Sequence, residues 1–90
     1  MLDGFGQHEL ALESYAKALR IKQRVHGEDH PDTATTYNNM ANVYDDQGKH
    51  ELALELFAKA LRIYQKMLGE DHPLTQLIGR NIKRVKNHLA

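Results

Sequence analysis

Cysteine is absent from this chain of 90 residues. That excludes a disulfide framework and thiolate chemistry, and it fits a reducing compartment such as the cytoplasm. Charge of one sign is lacking too. Twelve Lys and Arg balance twelve Asp and Glu, so no whole-chain field draws nucleic acid or an anionic membrane. No apolar run approaches the roughly 18 residues of a membrane span, and the first residues lack the pattern of a secretory signal. Serine occurs once, at Ser14, and neither a nucleophile elbow nor a glycine-rich phosphate loop is present. No segment alternates apolar and polar residues with period two, so no sheet is expected. What remains is a small cytoplasmic domain with a limited core and no enzymatic activity.

What the chain does contain is repetition. Residues 5–31 laid over 47–73 are identical at 19 of 27 positions, at an offset of 42. Beyond that stretch the likeness thins to Thr33 with Thr75, Asn39 with Asn81 and Val43 with Val85. The chain therefore divides into 1–30, the second half of a truncated repeat; 31–72, a complete repeat; and 73–90, a C-terminal helix. Helical periodicity predicts four helices, at 7–26, 31–47, 49–68 and 73–89. Leu52, Ala53, Leu56, Phe57, Ala60, Leu61 and Tyr64 recur at three- and four-residue spacing, with Leu54 and Ile63 on another side. A helix apolar on two sides is packed on two sides. Gly6 and Gly48 are expected in tight turns before the long helices.

These residues resemble a tetratricopeptide repeat. Its pattern of a small residue, tyrosine, turn glycine, alanine, aromatic and alanine is matched by Ala41, Tyr44, Gly48, Ala53, Phe57 and Ala60. Tyr37 stands at the usual tryptophan position. The 42-residue period and the stretch GEDHPDTATTYNNMANVYDDQGKHELALELFAKALRIY resemble the kinesin-light-chain type of repeat. The resemblance implies an all-α solenoid, a right-handed stack of antiparallel helix pairs that binds other proteins, often an extended peptide along a concave face.

GEDHP occurs twice, at 27–31 and 69–73. Its acids and histidines invite a metal reading, and His26 and His30 are four residues apart, as zinc ligands can be. Gly27 interrupts the helix between them, and the second copy has Leu68 in place of His26. No metal or cofactor is therefore expected. The alternative is a connector: Gly27 and Gly69 end a helix, Pro31 and Pro73 open the next, and Glu28, Asp29, Glu70 and Asp71 complement its dipole. His30 or Asp29, with Asp32 close behind, can cap the free amides. Ser14 aligns with Leu56, which places it at a partly packed position.

The two ends read differently. In the last helix Gly79, Lys83 and Lys86 replace Tyr37, Ala41 and Tyr44, while Ile78, Ile82 and Val85 keep the other half of the arc. Buried lysines would be costly, so this helix packs back on 49–68 and keeps a polar outer side, as a cap does. At the other end, residues 1–3 align with 43–45, the tail of an otherwise absent helix. Helix 7–26 then has an apolar side facing nothing, with Leu10, Ala11, Tyr15, Ala18 and Leu19 as a self-association surface. The chain is read as a C-terminal fragment of a longer array that is marginal alone and forms a homodimer.

The resemblance places the binding face at Thr35, Asn38, Asn42, Asp45 and Asp46 of one first helix. In the last helix it falls at Leu77, Arg80, Arg84, Asn87 and His88. Helical geometry independently puts Asn38, Asn42 and Asp45 on one side. Asparagines can hold a peptide backbone without demanding a sequence, and Arg80 and Arg84 can pair with carboxylates. The other reading makes Arg80, Arg84 and Asn87 a solvated face, or the whole chain a structural cap with no peptide ligand. Arg80, Lys83, Arg84 and Lys86 are too few, and lack an aromatic to stack a base, for nucleic acid or membrane to be the partner.

Overall fold

The computed structural model describes residues 4–89. They form four helices and, among the described residues, no strand: α1 (Gly4–His26), α2 (Pro31–Asp46), α3 (His50–Leu68) and α4 (Pro73–Leu89). Short connections make consecutive helices antiparallel neighbours. Contacts run α1 to α2, α2 to α3 and α3 to α4, which is the zigzag of a repeat stack. The molecule is a slab 18 Å thick across its thinnest axis, about two helix diameters.

The repeated pentapeptide makes the joints. Gly27 and Gly69 have φ of +84° and +92°, a left-handed region that L side chains enter at a cost. The Gly27 amide donates to the Gln23 carbonyl at 2.9 Å, closing α1. His30 is the N-cap of α2: its Nδ1 accepts from the Asp32 amide at 3.0 Å, and Pro31 opens the helix. His72 accepts in the same way from the Leu74 amide at 3.1 Å. The cap is thus histidine in both copies, rather than Asp29.

The core is small and dense with alanine. Ala34, Tyr37 and Ala41 of α2 meet Ala53, Phe57, Ala60, Ile63 and Tyr64 of α3, and Ile78 and Val85 of α4. Small side chains let the helices approach, and Phe57 fills the space between them. Ile63 and Phe57 are both fully buried, so α3 is packed on both sides. On α4, Thr75, Ile78, Asn81 and Val85 are buried, while Gly79, Lys83 and Lys86 are exposed.

Four sequence expectations need correction. First, Gly6 makes no turn; it lies within α1, which starts at Gly4. At Gly48 (φ +82°) the turn is held by the Gly48 and Lys49 amides donating to the Asp45 and Tyr44 carbonyls. The equivalent carbonyls for Gly6 belong to residues 1–3, outside the described residues, as is the helix tail expected there. Second, Leu19 does not belong to the unpartnered side of α1: α1 packs on α2, and Leu19 joins the core. Leu19 lies half a turn round the helix from Leu10 at 100° per residue, so the two never shared one side. Third, among the residues of α1 whose burial is described, the exposed large apolar ones are Leu10, Ile21 and Val25, at 55%, 60% and 67%, while Ala11, Tyr15 and Ala18 are half-buried. Fourth, Ser14 is exposed whereas Leu56 is half-buried, because α3 has neighbours on both sides.

Candidate peptide-binding face

α2 and α4 occupy equivalent places in successive units, and polar side chains join them along one side. Asn81 Nδ2 donates to Asn38 Oδ1 at 3.4 Å. Arg84 Nη1 donates to Asn81 Oδ1 at 3.2 Å, and its Nη2 to Asp45 Oδ2 at 3.4 Å. Asp45 also meets His50 Nδ1 at 2.7 Å through Oδ1. The structure thus brings Asn38, Asp45 and Arg84 together, through an asparagine that the sequence did not single out. Asn81 is 8% exposed. A sequence signal did exist: Asn81 falls on the stripe of Ile78, Ile82 and Val85, where a polar residue needs a partner. Alignment with Asn39 hid it.

The other expected residues are distributed unevenly. Asn42 is half-buried beside this bridge; Asp46, Arg80 and Asn87 are exposed. Thr35 is committed elsewhere: its hydroxyl donates to the Pro31 carbonyl at 2.9 Å and shares a 2.5 Å hydrogen bond with Tyr64 Oη. Asp45 is only 10% exposed at its side chain, against 49% for Arg84. The carboxylate is therefore an internal partner of the face, and the guanidinium is its outward group. Arg84 is already held by Asp45, which leaves an acidic ligand to exchange with that carboxylate.

GEDHP has a separate set of partners. Glu28 accepts from Tyr37 Oη at 2.5 Å through Oε1 and from Gln23 Nε2 at 2.8 Å through Oε2, and Gln23 Nε2 also donates to Tyr37 Oη at 3.1 Å. Burial, helped by the Glu28 carboxylate, pushes the Tyr37 hydroxyl up to about 12. Asp29 accepts from Lys66 Nζ at 2.6 Å, which holds its carboxyl below the usual range. Thr33 Oγ1 donates to the Gly27 carbonyl at 3.1 Å. Gly27 does not keep His26 and His30 apart: their rings stack at 4.1 Å and 19°. His26, His30 and Asp32 bring one ligand atom each within 4.8 Å of one another, but His30 Nδ1 is taken by the cap.

No helix among the described residues is long and apolar enough to cross a membrane. A model of the tetratricopeptide repeat family matches residues 4–66, which spans α1, α2 and most of α3. No curated protein matches the chain.

Proposed function

The chain belongs to the tetratricopeptide repeat family, whose members generally mediate protein–protein interaction, and from that premise we propose that it is a non-catalytic module binding an extended peptide across α2 and α4. We read its 42-residue spacing as the kinesin-light-chain type and its setting as cytoplasmic. The observation that carries the reading is the bridge Asn38–Asn81–Arg84–Asp45, which sets two first helices in register along one polar face. Asn38 and Asn42 offer amide donors and acceptors to a peptide backbone. Arg80 is exposed and Arg84 half-exposed, and both suit acidic side chains. Fluorescence anisotropy on a library of extended acidic peptides tests this. Binding should weaken in Asn42→Ala and in Arg80→Glu; binding that survives both substitutions defeats the groove reading.

A second reading rests on α1. Leu10, Ile21 and Val25 lie within about 60° of one another round the helix and are each more than half exposed. A second copy covering that stripe would make the chain a homodimer and structural element. Leu10→Glu should then dissociate the dimer in sedimentation runs. A stable monomer at high concentration in the unsubstituted chain rules this reading out.

A further inference from the structure

We propose that Asp45, His50 and His88 form a binding site for a divalent transition-metal ion of the zinc class. Three helix ends deliver the three side chains. Asp45 lies in the last turn of α2, His50 is the first residue of α3, and His88 lies in the last turn of α4. One ligand atom from each lies within 4.8 Å of the others. Asp45 Oδ1 and His50 Nδ1 are 2.7 Å apart, and the His50 and His88 rings meet nearly edge to face at 5.3 Å and 70°. Perpendicular rings can aim lone pairs at one point.

Two carboxyl ends of helices, α2 and α4, converge here. Their last carbonyls carry partial negative charge and favour a cation, an effect that the amino end of α3 at His50 partly offsets. The turn at Gly48 fixes His50 relative to Asp45. Two imidazoles and one carboxylate suit zinc, nickel or copper, whereas calcium and magnesium demand mostly oxygen. Zinc bonds of about 2.0–2.1 Å in a tetrahedron set ligand atoms about 3.3 Å apart. His88 is exposed on the last turn, so rotation of its side chain can close the remaining distance. The ion takes the place of the Asp45–His50 hydrogen bond, the imidazole carrying its proton on Nε2 instead of Nδ1, and water completes its shell. Lys49 and Glu51 both line the shallow cleft that holds His50, and their opposite charges offset each other. Arg84 is the opposing cation, 3.4 Å from Asp45 Oδ2; it occupies the other carboxylate oxygen, is half exposed, and can turn outward. The two readings share Asp45 and Arg84, but their tests use different residues: Asn42 and Arg80 for the peptide, His88 for the metal, so failure of one is distinguishable from failure of the other.

Isothermal titration of the full chain with zinc chloride tests the site, with magnesium chloride as the oxygen-seeking control. One zinc per chain is expected and no magnesium. His88→Ala should weaken zinc binding about tenfold or more, since even outer partners of a metal site cost that much, while its helical circular dichroism stays unchanged. His26→Ala should leave binding unaltered. Absence of zinc binding, affinity unchanged in His88→Ala, or loss in His26→Ala would each overturn the assignment.

Discussion

Tyr37→Phe removes one oxygen from the joint between α1 and α2 and tests whether GEDHP is a structural connector. Tyr37 is 4% exposed, and its hydroxyl donates to Glu28 and accepts from Gln23. At neutral pH the loss should be about 1.5 kcal/mol, the lower end for a bond to a charged group, because Glu28 is exposed and water can replace the hydroxyl. The pH dependence is the sharper test. Burial and Glu28 raise the folded-state value from 10.0 to about 12. A raised value means that the protonated hydroxyl favours folding. Its contribution is complete below pH 10 and is lost as pH climbs from 10 to 12. At pH 11 the unfolded tyrosine is mostly ionised and the folded one mostly protonated, which costs about 1.4 kcal/mol of stability. Urea unfolding followed by circular dichroism at pH 8 and pH 11 measures this for both proteins. Every other group is common to the two proteins, so the comparison isolates Tyr37. The lead of the unsubstituted chain over Tyr37→Phe should shrink by about 1.4 kcal/mol and vanish. A lead that stays constant across that range would refute the buried Tyr37–Glu28 pairing.

Phe57→Ala empties the centre of the core, where Phe57 is fully buried. It should cost about 3–5 kcal/mol, a large share of the roughly 5–13 kcal/mol that ninety residues usually hold; a loss below about 1 kcal/mol in urea unfolding would mean that α3 is not enclosed. His30→Ala should cost about 1 kcal/mol by uncapping α2, and His30→Ser should recover most of it. Failure of serine to recover it would assign His30 to stacking on His26 instead of capping.

The repeat made most of the fold legible. Aligning the two GEDHP copies set the register for every helix, and the alanines at 41, 53 and 60 marked where helices approach closely. Lys83 and Lys86 identified the outer side of α4 by the cost of burying an ammonium. Alignment alone does not fix geometry. Gly6 was read as Gly48, although the carbonyls that hold the Gly48 turn have their counterparts outside the described residues. Leu10 and Leu19 share an apolar character but stand on opposite sides of the helix. On the binding face, Asn38, Asp45 and Arg84 were named for a ligand, yet they pair with one another through Asn81.

By itself the sequence determined what is local and repeated: four helices, their glycine and proline boundaries, the stripes that must be buried, and the family. Those features follow from backbone preference and from a period of 3.6 residues, both written within a few turns of chain. Only the tertiary structure decided which polar groups meet. Asn38 and Asn81 stand 43 residues apart, Asp45 and Arg84 39, and Asp29 and Lys66 37. No periodicity encodes such pairs. The first two exist because α3 packs against α2 and α4 and thereby brings two first helices side by side; the third joins the α1–α2 connection to the last turn of α3.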